Sequence, residues 1–221
     1  MDDPVRHEQL DGAVLTRDGR FWELYEHSFP PAEKEPRDVI EKSVRLGCGL
    51  AFRSVLRGET VAMATAHILR EVPALFLVYL AVDARRKGRG TGGGLLEFLH
   101  AQGCRTIPGG LGTVWEAERA RDAATEPGKR IRERRLAFFH RHGGVLLTDA
   151  YRQPALAGGQ PVPMNILFRP AGAAGSGTPE DARALIRAIY LERYGELNGI
   201  PRQRLAALLA PWFAEASPPI A

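Results

Sequence analysis

The stretch ALFLVYLAVDARRKGRGTGGGLLEFL, residues 74–99, decides the fold of this chain. Its first nine residues, Ala74 to Val82, are all apolar or aromatic. A bilayer span needs about 20 such residues, whereas a strand buried on both faces of a sheet needs only a short run. A glycine-rich segment, Lys87 to Gly94, comes later, and apolar residues at helical spacing follow it: Leu95, Leu96, Phe98 and Leu99. The stretch therefore predicts a strand, a glycine-rich turn and a helix.

The turn between this strand and helix has the composition of a phosphate-binding loop. Backbone N–H groups at a helix N-terminus lack partners, and the helix dipole adds partial positive charge there. Glycines let the backbone approach a ligand closely, and Lys87 and Arg89 add two cations. A glycine-rich turn that binds nothing is the alternative. The strand before the glycines and the helix after them favour a phosphate cradle.

Two familiar phosphate loops do not account for this turn. The Walker pattern G-x-x-x-x-G-K-[ST] is absent, because no Lys-Ser or Lys-Thr follows the glycines. The dinucleotide pattern G-x-G-x-x-G matches residues 88–93 as a bare string. It lies deep in the chain after two other strand-like runs, and no clear acidic strand end follows at the right distance. The match is therefore weak evidence for a dinucleotide site.

Residues 80–96, LAVDARRKGRGTGGGLL, closely resemble motif A of the GNAT superfamily of N-acetyltransferases. That motif reads roughly L-A-V-D-P-x-x-[RQ]-x-x-G-x-[GA]-x-x-L-L and aligns without a gap. Ala84 replaces the usual proline, and Lys87 replaces the usual Arg or Gln, which keeps the charge but loses the fork geometry of arginine. The resemblance implies an α/β fold with a mixed, mostly antiparallel central sheet. This sheet is splayed between strands 4 and 5 and flanked by helices, here with a C-terminal helical pair.

The resemblance also implies acetyl-CoA as co-substrate. The backbone of Leu80, Ala81 and Val82 would pair with the pantetheine, and the following loop would hold the pyrophosphate through Lys87, Gly88, Arg89, Gly90, Thr91, Gly92 and Gly93. Residues 138–143, FFHRHG, resemble the F-Y-x-x-x-G segment of the family, whose tyrosine often donates a proton to the leaving thiolate. Phe139 occupies the tyrosine position and is expected to contact the cofactor without donating a proton.

Two glutamates are candidates for the base that takes a proton from the acceptor amine in an N-acetyltransferase reaction. Residues 111–118, LGTVWEAE, predict the fifth strand, on which Glu116 and Glu118 share one face. A carboxylate near an apolar cleft suits this role because burial raises its pKa towards neutrality. A polar strand end is the alternative. Tyr79 on the neighbouring strand, or water, is expected to supply part of the general-acid assistance to the leaving thiolate.

The acceptor is expected beside the first two helices, as in the family. The segment from Ser28 to Pro36 resembles a substrate-side loop of one family branch, and Glu33 and Glu35 are its candidate substrate contacts; a solvated acidic turn is the alternative. The function implied is acetyl transfer to a small-molecule or peptide amine by direct attack. The second hypothesis is an inactive acyl-CoA-binding sensor or interaction module, which the missing tyrosine supports.

The remaining pattern completes the expected architecture. Asp18 is a candidate N-cap for a helix that carries apolar residues at Phe21, Leu24, Tyr25 and Phe29. A second helix follows around Val39, Ile40 and Val44, and a later one starts at Lys129. His67 is the one strand histidine that faces either a cleft or the core. Besides the strands at 74–82 and 111–118, strands are predicted at residues 13–17, 50–56, 60–69, 145–151 and 162–168.

The chain is expected to divide into an acetyltransferase domain, residues 1–172, and a C-terminal helical extension, residues 178–215. Residues 172–177 read as a small linker, and Thr178 as an N-cap. Both C-terminal helices carry apolar stripes that must be buried. They are expected to pack on the same domain, and a homodimer partner is the alternative surface.

Composition narrows the class of protein. The 221 residues are 44% hydrophobic, and a net charge of +4 is too diffuse to indicate nucleic acid binding. The basic run at residues 129–135 carries no interleaved aromatic platform. Two cysteines make no disulfide framework, and the charged N-terminus lacks the apolar core of a secretory signal. A cytoplasmic protein without a membrane span or a metal site is expected.

Overall fold

Eight β-strands form one sheet in the computed structural model, which describes residues 3–156, 159–172 and 178–214. The strands are β1 (Arg6–Leu10), β2 (Gly49–Leu56), β3 (Glu59–Leu69), β4 (Ala74–Val82), β5 (Gly112–Glu118), β6 (Val145–Thr148), β7 (Arg152–Gln153) and β8 (Val162–Pro170). Their order is β1-β2-β3-β4-β5-β8-β6, and β7 pairs with β8 beside this path. Every pairing is antiparallel except that of β4 with β5, which is parallel. The mixed, mostly antiparallel sheet is as predicted.

Helices cover both faces of this sheet. They are α1 (Gly12–Arg17), α2 (Gly19–Ser28), α3 (Arg37–Arg45), α4 (Thr91–Thr106), α5 (Glu126–Arg141), α6 (Pro179–Ala188), a π-helix (Ile189–Leu197) and α7 (Arg202–Leu209). Leu77 of β4 belongs to the apolar cluster of α4 and α5, whereas its neighbour Phe76 belongs to the cluster of the C-terminal helices. Because successive strand residues point to opposite faces, these helix groups lie on opposite sides of the sheet.

The prediction of a strand at residues 13–17 is wrong. These residues belong to α1, and the first strand is β1, which pairs antiparallel with β2. The side chain of Asp11 caps α1 by accepting a hydrogen bond from the N–H of Val14 at 2.8 Å. Leu15 is the one buried residue of this helix, so burial along it does not alternate as it does in a half-buried strand. The predicted N-cap of the next helix is confirmed, because Asp18 accepts from the N–H of Phe21.

Two further boundaries differ from the prediction. Helix α5 begins at Glu126 rather than Lys129, since the Thr125 side chain accepts a hydrogen bond from Gly128 and Pro127 suits the first turn. The predicted strand at 145–151 is shorter in the structure, where β6 ends at Thr148, two residues after a register shift that follows Leu146. The described part of the chain contains no helix long and apolar enough to cross a membrane.

The C-terminal helices pack on the sheet of this chain. Thr178 is the N-cap of α6, as predicted, and it forms a capping box with Asp181. The apolar stripe of α6 and the π-helix is fully buried against β5 and β8, at Ala182, Leu185, Ile186, Ile189 and Tyr190. The sheet of the same chain therefore buries this apolar stripe. Residues 173–177 of the predicted linker lie outside the described residues.

A buried ion pair ties these helices to the loop between α2 and α3. The guanidinium of Arg193 bonds to the carboxylate of Glu35, and the two side chains are 2% and 1% exposed. Asn198 donates a second hydrogen bond to Glu35 at 2.7 Å. Removing one partner of such a pair leaves an uncompensated charge in the interior.

We therefore expect Arg193→Met to lower the free energy of unfolding by about 3–5 kcal/mol, because Glu35 would stay buried without its counter-ion. Urea denaturation followed by circular dichroism measures this loss. Arg202→Met is the matched control, since Arg202 is exposed on α7 and should tolerate the change. A loss below about 1 kcal/mol for Arg193→Met, typical of an exposed ion pair, would show that this pair does not hold the helices in place.

Candidate functional site

A cleft opens where β4 and β5 separate. Their parallel pairing joins only Leu75–Leu77 to Thr113–Trp115, so the C-terminal half of β4 runs without β5 beside it. The resulting space has a volume of about 1370 Å³. Helix α2, the loop after β4, the first turn of α4, the end of β5 and the end of α5 line it. The predicted splay between strands 4 and 5 is confirmed.

Two glycines of the loop after β4 face open space. Gly88 and Gly90 have φ angles of 76° and 80°, in the left-handed region that favours glycine. Apart from the adjacent residues of the chain, no atom of the described residues lies within 4 Å of the position that a Cβ would take at either glycine. Gly90 is the N-cap of α4, and no side chain caps this helix. The first turn of α4 therefore presents free backbone N–H groups to the cleft.

The glycines inside α4 have a different role. A Cβ on Gly93 would lie 2.5 Å from the ring of His142, and one on Gly94 would lie 2.6 Å from the ring of His7. A Cβ on Gly92 would lie 3.0 Å from Val82. Gly92 and Gly93 also line the cleft, and side chains at these positions would crowd Val82 and His142. Only the loop glycines leave room for a ligand.

Basic side chains surround the open end of α4. Asp83 accepts hydrogen bonds from the backbone and side chain of Arg85 and from Arg20, and these bonds hold the pKa of its carboxyl well below its usual range. Among the described residues, Arg86 and Lys87 have no acidic partner, and both line the cleft. Thr91 also lines the cleft, whereas Arg89 is exposed and does not. This end of the cleft suits an anion.

The opposite wall of the cleft carries Glu116. Its carboxylate accepts hydrogen bonds from the amide of Gln153 at 2.7 Å and from the hydroxyl of Tyr194 at 2.8 and 3.1 Å. Burial raises the pKa of this carboxyl to about 7, although the hydrogen bonds oppose the shift. Within the described chain, no Lys or Arg lies at ion-pair distance from it. A carboxyl with this pKa can both accept and release a proton near neutrality.

Glu118 also lines the cleft, but its carboxylate is neutralised. It forms ion pairs with Arg132 at 2.5 Å and with Arg135 at 2.8 Å, both from α5. Two cations therefore hold the Glu118 carboxylate, whereas neutral groups hold that of Glu116. The alternation of β5 places Glu116 and Glu118 on one face, but the structure gives the two carboxylates different partners.

The hydroxyl of Tyr79 is engaged within the protein. It donates to the carbonyl of Glu33 at 2.8 Å and accepts from the N–H of Glu35 at 3.0 Å. Its burial raises the pKa of this phenol far above the usual value. Tyr79 therefore orders the loop after α2, and this arrangement does not favour the proton-donor role expected for it.

The two acidic residues of that loop differ in placement. Glu33 lines the cleft, and burial raises the pKa of its carboxyl. The carboxylate of Glu35 instead points inward to Arg193, so it is not free to bind an acceptor as the sequence suggested. His67 is buried in β3, neither of its ring nitrogens has a hydrogen-bond partner in the described part of the chain, and it is not among the residues that line the cleft.

Aromatic and backbone surfaces complete the cleft. Phe139 is buried against Trp115, with ring centroids 5.0 Å apart, and its edge lines the space. Leu80, Ala81 and Val82 form the rim of β4 beyond the last pairing with β5. In the described ranges, no group of three or more His, Cys, Asp or Glu residues is placed to hold a metal ion.

Sequence reasoning missed Gln153 and Tyr194. Both contact Glu116, from 37 and 78 residues away along the chain. Gln153 lies on the two-residue strand β7, and Tyr194 lies on the π-helix that follows α6. No local pattern marks either residue as part of a site, so only the folded arrangement identifies them.

Comparisons with known proteins identify this architecture. No model of a protein family and no curated protein sequence matches the chain. Among solved structures, a protein from Bacteroides thetaiotaomicron assigned to the GNAT acetyltransferases matches 86% of this chain and 98% of its own, with 21% identity and a TM-score of 0.66. The chain therefore has the GNAT acetyltransferase fold.

Two other solved structures resemble the chain in the same way. An aminoglycoside 6′-N-acetyltransferase in complex with coenzyme A has a TM-score of 0.55 at 14% identity, over 76% of this chain and 97% of its own. A GNAT-family protein from Desulfovibrio desulfuricans has a TM-score of 0.52 at 18% identity, over 76% and 100%. Identities at this level establish the fold alone.

The raised pKa of Glu116 makes a prediction about stability. A carboxyl that is protonated more readily in the folded state stabilises the fold fully below its unfolded pKa, near 4.5, and loses this contribution as the pH rises to about 7. Between about pH 4 and pH 8, wild-type stability should therefore fall by about 3 kcal/mol relative to Glu116→Gln. Urea denaturation of both proteins at several pH values measures the difference. Parallel curves for the two proteins would contradict the raised pKa.

Proposed function

We propose that this protein is an N-acetyltransferase that moves an acetyl group from acetyl-CoA to an amine acceptor by direct attack. The observation that carries this proposal is the position of Glu116. Its carboxyl, with a pKa near 7, lies on the strand that diverges from β4, across the cleft from the open N-terminus of α4. A proton acceptor and an anion cradle on one cleft are what this reaction requires.

The residues around α4 fit coenzyme A. The space beside Gly88 and Gly90 and the free N–H groups of the first helical turn would hold the pyrophosphate, with Lys87 adding charge. The rim of β4 at residues 80–82 would pair with the pantetheine where β5 has left it. Phe139 would supply an apolar contact near the thioester. When bound, acetyl-CoA supplies the activated acetyl group.

The chemistry then needs little more from the protein than orientation and proton transfer. The neutral amine attacks the carbonyl carbon, a C–N bond forms and the C–S bond breaks. Glu116 accepts the proton that the nitrogen loses, and the sulfur leaves as a thiolate that water can protonate. Because a thiol has a pKa of about 8.5, this leaving group does not depend on an acid at the position of Phe139.

The acceptor is an amine that enters beside α2. Glu33 lines this side of the cleft without a basic partner at ion-pair distance in the described chain, so it suits contact with a polar or cationic acceptor. One structural neighbour is named as an aminoglycoside acetyltransferase, which supports a small-molecule amine. A peptide amine also fits a cleft of this volume.

The cradle generates the first test of this function. At about 100 times its dissociation constant, acetyl-CoA should raise the melting temperature of the wild type by about 5–10 °C. Gly90→Asp should abolish this rise, because it places a negative charge where the pyrophosphate would lie. Thermal shift with and without acetyl-CoA measures both effects.

Gly90→Asn is the matched control for this substitution. It imposes a side chain of the same size at the same left-handed φ but carries no charge, and Asn tolerates this conformation about as well as Asp. The rise should therefore be smaller than wild type but retained. An undiminished rise in Gly90→Asp would place the cofactor elsewhere.

The base generates the second test. Glu116→Gln keeps the size of the side chain but cannot take a proton near neutral pH, so turnover at pH 7 should fall by about 10²- to 10⁴-fold. Acetyl-CoA affinity should stay nearly unchanged. Activity should partly recover at high pH, where more of the amine is already neutral. A thiol-release assay across amine acceptors measures turnover.

Glu118→Gln is the comparison, because it changes the neighbouring glutamate on the same face of β5. Its carboxylate is already paired with Arg132 and Arg135, so the substitution should cost less turnover. Wild-type turnover in both variants at pH 7 would exclude these residues as the base. A wild-type protein that binds acetyl-CoA but turns over no acceptor would overturn the enzymatic proposal in favour of a binding protein.

A further inference from the structure

The C-terminal π-helix contributes to the cleft, although it lies outside the part of the chain that resembles motif A and its neighbours. Two successive residues of this helix contact two glutamates. Arg193 bonds to Glu35 beneath the loop after α2, and Tyr194 bonds to Glu116 on β5. Tyr194 itself lines the cleft. The segment thus reaches both walls of the acceptor side.

The hydrogen bonds around Glu116 favour one ionisation state. The hydroxyl of Tyr194 donates to both carboxylate oxygens, and the amide of Gln153 donates to one of them and to the Tyr194 oxygen at 2.9 Å. Donors that converge on a carboxylate stabilise its charged form. A protonated Glu116 would have to break or reverse one of these bonds.

The other ionisable groups facing Glu116 do not replace this contact. Tyr151 faces the Glu116 carboxyl from the loop after β6 and lowers the pKa of this carboxyl, although its buried hydroxyl has no partner in full hydrogen-bond geometry among the described residues. Tyr190 donates its hydroxyl proton to the carbonyl of Arg152 at 2.8 Å. Arg193 acts on Glu116 only through space, because its guanidinium is bonded to Glu35. Within the described residues, the donors in full hydrogen-bond geometry with the carboxylate are therefore Tyr194 and Gln153.

We propose that Tyr194 is a positioning residue that orients the Glu116 carboxylate towards the cleft and keeps it ionised for proton transfer. This inference rests on the proposed function, in which Glu116 is the base. It makes the C-terminal segment part of the catalytic site. The direct donors to the carboxylate are neutral, so they favour its ionised form without neutralising it, whereas the two arginines beside Glu118 do neutralise theirs.

Titration of Glu116 itself tests the proposal without any requirement for activity. Carbon-13 NMR of the glutamate carboxyls follows each titration, and the Glu116 resonance is the one absent from Glu116→Gln. Tyr194→Phe removes the hydroxyl that donates to Glu116 and leaves the Gln153 amide bonded to Glu116, so the Glu116 titration should move upwards by about one pH unit. The acid limb of the pH–turnover profile should move with it, with activity partly restored at the highest pH.

Tyr190→Phe is the matched control, because it removes the same hydroxyl four residues earlier in the π-helix, from a tyrosine that does not bond to Glu116. It should leave both the titration and the profile in place. Should Tyr194→Phe fail to fold, fluorotyrosine introduced at position 194 keeps the shape and strengthens the donor. It should move the Glu116 titration in the opposite direction.

An unchanged Glu116 titration in the Tyr194 variants would overturn the positioning role. A titration that shifts as expected while the acid limb of turnover stays in place would overturn it as well, because Glu116 would then be tuned but unused. A shifted titration in a protein whose wild type shows no turnover would overturn the proposed function alone. The three results are distinguishable.

Discussion

The site depends on a sheet in which two neighbouring strands stop pairing. Parallel bonds join β4 to β5 over three residue pairs and no further. Exposed N–H and C=O groups at an unpaired strand edge can form hydrogen bonds with another chain or with a ligand. Here the edge is not open to a second sheet, because α2, the first turn of α4 and the end of α5 enclose it. The gap in the sheet therefore becomes a cleft with one free backbone edge.

The charges of this cleft are separated along its length. At the α4 end, free N–H groups and Lys87, which has no acidic partner among the described residues, make an environment for an anion, and Asp83 is bonded to Arg20 and Arg85. At the other end, Glu116 is held by neutral donors. This separation has a chemical consequence. The cations at the first end therefore do not pair with the Glu116 carboxylate at the second.

The sequence pattern alone predicts the α4 end of the cleft but not the surroundings of Glu116 at the other end. The strand, loop and helix at residues 74–99 are contiguous, so spacing along the chain reveals their geometry. The prediction of the first strand is wrong because a short apolar run fits a strand and a helix alike, and the Asp11 side chain caps residues 12–17 as a helix. Glu116 followed from alternation on β5. Its partners Gln153 and Tyr194 come from distant segments, whose sequence patterns indicate only which residues are buried. The same holds for Arg193, which lies 158 residues from its partner Glu35.

The position of Phe139 acquires a different meaning in this arrangement. Its ring packs on Trp115, so the hydroxyl that the resemblance expects there is replaced by an apolar contact in the core. A polar hydroxyl does reach the same cleft, but it comes from Tyr194 on the C-terminal π-helix. The same helix neutralises Glu35, whose backbone N–H in turn bonds to Tyr79 and orders the loop that carries Glu33. Without residues 178–214, Glu116 would lose a donor and Glu35 would lose its counter-ion. We therefore infer that the C-terminal helices act as a wall of the site, and that the acetyltransferase domain expected at residues 1–172 is incomplete without them.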